Sequence, residues 1–98
     1  MKTYRKGSSY GLENFVDKSK EQLINFIEKE RDGDSSYLVQ DGTTNEELIK
    51  VIIDRIEFLN EKRSCFENFN ALNHLKEANF WLKERIKSKD FRVKSAII

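Results

Sequence analysis

Three polar residues of one predicted helix, Asn68, Arg85 and Lys89, are suited to binding a phosphorylated ligand. Asn68 supplies a donor and an acceptor, while Arg85 and Lys89 lie one helical turn apart and form a cationic clamp for phosphate. Phe58 offers an aromatic face on which a base can stack. Two plainer interpretations stay open. In the first, Arg85 and Lys89 are solvent-exposed residues in the last turns of the helix, where the helix dipole favours cations. In the second, Phe58 only caps the end of an apolar core.

The spacing of these residues restricts how they can act together. Asn68 and Arg85 are seventeen positions apart, which places them about 25 Å from each other along a helix axis. One small ligand cannot reach both on a single helix. If they serve one ligand, the Asn end must come from one subunit and the Arg/Lys end from an antiparallel partner.

Residues for catalysis or metal binding are scarce. The chain has one His and one Cys, and His74 lies about 14 Å of helical rise beyond Cys65. No zinc spacing, Gly-rich phosphate loop or nucleophile motif occurs. Acids alternate over residues 32–43 as in a calcium loop, but Tyr37 occupies the position that needs Gly and Thr43 the position that needs Glu. We therefore predict no catalytic residue, no metal site and no cofactor.

The element that carries Asn68 and Arg85 is a predicted long helix over residues 66–94. It lacks Gly and Pro, and its apolar residues recur at three- and four-residue steps. A helix over 45–61 precedes it, opened by a capping box of Thr43 or Thr44 with Glu46 or Glu47. The short polar connection over 60–64 predicts an antiparallel helical hairpin.

The N-terminal part is less regular. Residues 1–12 mix Gly, Ser and Tyr with basic residues and predict an irregular arm, which could stack on a base. Apolar spacing together with Ser19 and Gln22 predicts a helix over 19–31, and a short strand is expected near 36–40. The predicted fold is mainly α and forms one domain over 1–98, with an N-terminal arm and helix in 1–40 and the helical hairpin in 41–95.

Composition favours association. Of 98 residues 38% are apolar and 36% charged, and the mean hydropathy is -0.71. So thin a core predicts a homo-oligomer. Residues 1–20 carry five Lys/Arg against two acids, residues 21–75 six against twelve, and residues 76–98 seven against three. Basic ends around an acidic middle favour subunit complementarity or a local anion site over duplex nucleic acid.

Cellular location is constrained by what the sequence lacks. The single Cys65 excludes an internal disulfide, and there is neither an apolar signal segment nor a membrane-spanning run. We therefore expect a soluble intracellular protein that neither spans nor binds a membrane.

The segment from Asp41 to Ser95 resembles the C-terminal helical hairpin of phage Thoeris anti-defence proteins and the related anti-CBASS cyclic-nucleotide sponges. The resemblance rests on a capped helix with Phe58 near its end, then Cys65-x-x-Asn68, then the spacing A-L-x-x-L-x-x-A-x-x-W-L-x-x-R that ends at Arg85, and a basic tail. It covers over half of the chain.

The resemblance implies a non-enzymatic protein that sequesters nucleotide immune messengers, including cyclic ADP-ribose isomers and cyclic oligonucleotides. It places ligand binding on Phe58, Asn68, Arg85 and Lys89, in pockets between subunits of a dimer or hexamer, in the cytoplasm of the infected bacterial host. Lys89 stands where the family has Arg and lacks its planar fork, and the tail after it has no Gly. The alternatives are a non-catalytic helical adaptor module, which would purify without nucleotide, and a signal-degrading enzyme, which would alter it.

Overall fold

The computed structural model describes the backbone of residues 1–97 and the side chains of residues 1–88. Two compact units follow one another along the chain. The first spans Met1–Thr44 and the second begins at Asn45. The single domain expected over residues 1–98 stays a prediction.

The first unit contains an antiparallel sheet of three strands, β1 (Lys2–Arg5), β2 (Ser9–Glu13) and β3 (Glu21–Asn25), in the order β1-β2-β3. Gly7 adopts a φ of 82° in the connection between β1 and β2, a backbone conformation that side chains with a Cβ disfavour. In the register of β2 and β3, Tyr10 pairs with Ile24 and Gly11 with Leu23.

A separate two-stranded hairpin follows, made of β4 (Glu28–Asp32) and β5 (Ser35–Gln40). The two-residue turn between them begins with Gly33, whose φ of 64° suits the tight reversal. The chain then returns to the end of β3, where the Thr43 N–H donates to the Asn25 carbonyl at 2.7 Å and the Thr43 carbonyl accepts from the Ile27 N–H at 2.9 Å. These bonds anchor the end of the first unit to its sheet.

The prediction of a mainly α fold is wrong, because among the described residues five antiparallel strands accompany two helices. The helix predicted over 19–31 is replaced by β3 and β4, and the predicted arm over 1–12 forms β1 and most of β2. Ser19 does not cap a helix; its N–H and hydroxyl both donate to the Asp17 carboxylate, at 3.1 and 2.5 Å, in a turn. Gln22 donates instead to the Asn14 side chain at 3.0 Å. The strand expected near 36–40 lies within β5.

The second unit is formed by α1 (Asn45–Lys62) and α2 (Phe66–Ile97), which pack against each other. They occupy the segments predicted as helices, over 45–61 and 66–94. Between them, the Lys76 ammonium pairs with the Glu57 carboxylate at 3.0 Å. Leu72 of α2 is 7% exposed, and in the described part of the chain it is the only large hydrophobic residue that is buried. No helix in the described residues is long and apolar enough to cross a membrane.

Candidate functional site

The connection between α1 and α2 is held by a short chain of hydrogen bonds that positions Asn68. The Asn60 side-chain oxygen accepts from the Cys65 N–H at 3.1 Å, and the Cys65 sulfur accepts from the Asn68 N–H at 3.4 Å. Cys65 therefore caps α2, since its side chain satisfies a donor of the first turn. This cap gives the Cys-x-x-Asn spacing a structural reason and leaves the Asn68 side chain half-buried beside the connection.

Phe58 lies one turn before the end of α1, at the same end of the hairpin as Asn68. Its side chain is 47% exposed, and the Lys62 ammonium lies over its ring, 4.4 Å from the centroid. Such a cation–π contact at an exposed site contributes about 0.5–1 kcal/mol. A base that stacks on Phe58 has to share the ring with Lys62 or displace it. Lys62 is not among the residues predicted from the sequence to bind a ligand, although its position four residues after Phe58 on a helix places the two side chains on one face.

Arg85 lies on α2, seventeen residues beyond Asn68, and is exposed. Its neighbours Glu84 and Lys87 pair with each other at 3.2 Å, and Arg85 makes no ion pair within the described part of the chain. An exposed guanidinium with no internal carboxylate can bind an external anion without breaking a native contact. The side chain of Lys89 lies outside the described residues.

The structure thus brings Phe58 and Asn68 to one end of the hairpin and leaves Arg85 at the other. Both Asn68 and Arg85 belong to the continuous helix α2, so the axial separation of about 25 Å stands. The predicted site residues do not converge in one copy of the chain.

Large apolar side chains of α2 remain exposed. Phe66, Phe69, Phe80 and Trp81 are between 53% and 72% exposed, and Phe80 and Trp81 pack edge to face with ring centroids 5.2 Å apart. Aromatic surface of this kind is typical of faces that bind another protein surface. Among the described residues, no group of three or more His, Cys, Asp and Glu side chains is arranged to hold a metal ion.

Comparison with known protein families shows to which family the hairpin belongs. The model of the Acb2/Tad1 hairpin domain matches residues 22–87, which is more than half of the chain. The chain belongs to the Acb2/Tad1 hairpin family. This confirms the resemblance drawn from the sequence of the hairpin. The family match also begins inside the first unit, at the second residue of β3.

One protein similar to this chain is "Thoeris anti-defense 1" of Bacillus phage SBSphiJ7. It is 38% identical over 52 residues, and the match covers 52% of this chain but 37% of that relative's own length. This chain therefore corresponds to well under two thirds of the relative.

Proposed function

We propose that this chain is a phage anti-defence protein that binds nucleotide immune messengers in the cytoplasm of an infected bacterium and holds them without cleaving them. The observation that carries the proposal is its membership of the Acb2/Tad1 hairpin family, together with a similar phage protein named for Thoeris anti-defence. The ligand class is that of cyclic ADP-ribose isomers and cyclic oligonucleotides.

The chemistry of the hairpin supports binding rather than reaction. Phe58 offers a ring for stacking, Asn68 an amide, and Arg85 an exposed guanidinium that no carboxylate of the described residues neutralises. Lys89 would add a second cation one turn beyond Arg85. Together these groups suit a base and a phosphate, and none of them is an activated nucleophile.

The separation of the two ends supports a pocket between subunits. A ligand of nucleotide size cannot span about 25 Å, so Phe58 and Asn68 of one subunit must face Arg85 and Lys89 of another. The exposed aromatic residues of α2 and the thin core of the hairpin favour such an assembly. We infer a homo-oligomer, from a dimer to a hexamer.

A release experiment tests this function. The purified protein is incubated with a panel of cyclic ADP-ribose isomers and cyclic di- and trinucleotides, and the filtrate is analysed by chromatography before and after heat denaturation. A sequestering protein removes its ligand from the filtrate and returns it intact once denatured. Altered nucleotide would identify an enzyme and contradict the proposal.

A helical adaptor module is the second candidate, because exposed aromatic side chains also suit a protein partner. In the same experiment an adaptor would leave every nucleotide in the filtrate. Depletion of a nucleotide with full return on denaturation would exclude this alternative as the sole function.

A further inference from the structure

One face of the three-stranded sheet contains a trough. Side chains alternate between the two faces of a strand, so the register of β2 and β3 places Ser9 and Gly11 on the same face as Leu23 and Asn25. The central strand contributes small residues to this face, whereas β1 contributes Tyr4 and β3 contributes Leu23. The result is an open groove of about 380 Å³, lined by Tyr4, Ser9, Tyr10, Glu21, Leu23 and Asn25.

The Glu21 carboxylate forms part of the floor of the trough. The Tyr4 hydroxyl donates to Glu21 Oε1, which links β1 to β3 across the central strand. Glu21 Oε2 lies against Gly11, in the space that a Cβ would occupy at any other residue. Glycine at position 11 therefore lets the carboxylate lie on the floor of the trough. In the described part of the chain Glu21 has no cationic partner, so its oxygens retain capacity to accept hydrogen bonds.

The size and chemistry of the trough indicate its ligand. A volume of about 380 Å³ is at the lower end of the range for small-molecule sites and exceeds what a lone guanidinium needs. The Tyr4 ring and Leu23 are suited to the faces of a flat ring system. A carboxylate accepts best from two adjacent N–H groups, and guanine presents such a pair on one edge. The Asn25 amide lies about 13 Å farther along β3, within reach of an attached sugar.

We propose that this trough binds the guanosine part of a ligand, with the guanine N–H edge on Glu21 and the ribose over Ser9 and Asn25. No cationic side chain is among the residues that line the trough, but the Lys2 ammonium borders it, 5.1 Å from the centroid of the Tyr4 ring. The site uses none of the hairpin residues. Tyr4, Ser9, Gly11 and Glu21 also precede the residues that match the hairpin family, so the site goes beyond the function proposed for the hairpin.

The test is a titration of the full chain with guanosine, in which the backbone amide signals are monitored by NMR. We expect saturable shifts at Ser9, Gly11, Leu23 and Asn25. Inosine, which lacks the exocyclic amine, and adenosine, which lacks the adjacent N–H pair, should bind at least several-fold more weakly. Glu21→Gln replaces the carboxylate by an amide of the same shape and should weaken guanosine binding about tenfold to a hundredfold.

A matched control exists in the two-stranded sheet formed by β4 and β5. There the Tyr37 hydroxyl donates to the Glu30 carboxylate at 2.9 Å, so Glu30→Gln changes an equivalent Tyr–Glu pair outside the trough. It should leave guanosine binding unchanged. Gly11→Ala provides a second test, because its Cβ displaces the Glu21 carboxylate, and the amide spectrum reports whether the sheet is preserved.

Three results would overturn the proposal. These are shifts confined to the hairpin, equal guanosine affinity in wild type and Glu21→Gln, or methylguanidine binding at the same amides as tightly as guanosine. Arg85→Ala separates this site from the hairpin function. That variant should lose messenger binding at the hairpin and keep the guanosine shifts of the trough, so either proposal can fail alone.

Discussion

The Lys62 ammonium lies over the ring of Phe58, the residue proposed to stack on a base. It lies 4.4 Å from the ring centroid, and no carboxylate in the described residues pairs with it. The cation is thus held by an aromatic ring alone, through a contact of about 0.5–1 kcal/mol. A phosphate competes well for such an ammonium. Binding of a nucleotide at this end would exchange the cation–π contact for base stacking and an ion pair.

The first prediction concerns Asn68 and Arg85. Asn68→Ala and Arg85→Ala should each weaken messenger binding, by about one to two decades for Arg85, where loss of a charge-assisted hydrogen bond to phosphate costs about 1.5–3 kcal/mol, and by about fivefold or more for Asn68, where loss of an amide contact costs about 1 kcal/mol or more. Helix content by circular dichroism should not change, since Ala is favourable in helices. Lys87→Ala is the matched control, because Lys87 is already paired with Glu84. Unchanged affinity in both variants would remove these residues from the site.

The second prediction concerns Lys62. Lys62→Met keeps a long apolar side chain and removes the charge, so messenger affinity at low salt should fall by about 0.2–1 kcal/mol, the range of an exposed ion pair. The difference should shrink at high salt because mobile ions screen exposed charges. Lys50→Met, on the same helix but paired with Glu47 at 3.9 Å, is the control. Calorimetric titration at two salt concentrations measures both, and a rise in affinity at low salt would contradict the phosphate contact.

At the scale of elements, the helices were predictable and most of the sheet was not. α1 and α2 have local signals, which are capping residues, apolar spacing and the absence of Gly and Pro. β1, β2 and β3 depend on partners distant in sequence, and Tyr4 meets Glu21 across seventeen residues. Phe15 and Val16 are 93% and 86% exposed, because they lie in the connection between β2 and β3.

The candidate site follows the same division. The spacing of Asn68 and Arg85 along one helix was readable from the sequence, and so was their failure to meet in one copy. The cap formed by Cys65 and the position of Lys62 needed only short-range geometry, and they could have been found. The trough could not, because it depends on the pairing register of three strands.

The third prediction concerns the return of the chain at the end of β3. A Cβ at Gly42 would come within 2.7 Å of backbone carbon atoms of Asn25 and Phe26, which cannot move aside as a flexible side chain can. Gly42→Ala should therefore destabilise the first unit by about 1–3 kcal/mol, the usual cost of overpacking. Thermal unfolding measures the loss, and hydrogen exchange should show reduced protection at Ile27 and Thr43. Ser36→Ala, at an exposed position of β5, is the control; an equal effect there would contradict the steric reason.

The fourth prediction concerns the turn between β2 and β3. The two hydrogen bonds from Ser19 lower the pKa of Asp17 below its usual value. Because the folded-state pKa is depressed, the stabilisation is present above the unfolded pKa of Asp17 and is lost as the pH falls through the folded value. Ser19→Ala removes the hydroxyl donor, so the pKa of Asp17 should rise towards its usual value. Side-chain NMR titration measures it, and the same pKa in wild type and variant would contradict the assignment.

At the scale of the whole molecule, exposed surface and charge both favour self-association. Leu72 is the only buried large hydrophobic residue in the described part of the chain, while several aromatic residues of α2 are more than half exposed. Residues 21–75 are acidic and the segments on either side are basic, so one copy can present opposite charges to another. Association would bury the aromatic residues and bring the two ends of the proposed ligand site together.

The last prediction is that two inactive variants restore binding to each other. In a symmetric dimer with two pockets, each pocket takes Asn68 from one subunit and Arg85 from the other. A mixed dimer of Asn68→Ala and Arg85→Ala subunits therefore has one pocket with both defects and one with neither. Random reassembly of equal amounts gives mixed dimers in about half of cases, so about a quarter of all pockets should bind messenger with wild-type affinity.

The matched control mixes wild type with the double variant Asn68→Ala/Arg85→Ala. Here every pocket of a mixed dimer carries one defect, so reassembly should lower the intact pockets from half to about a quarter. Reassembly of the two single variants therefore creates binding, whereas reassembly of wild type with the double variant removes it, although both mixtures contain the same numbers of each side chain. Titration after dissociation and reassembly measures the change, with mass spectrometry to confirm mixed oligomers. No recovery in the first mixture, once mixed oligomers are confirmed, would show that Asn68 and Arg85 do not serve one pocket across the subunit boundary.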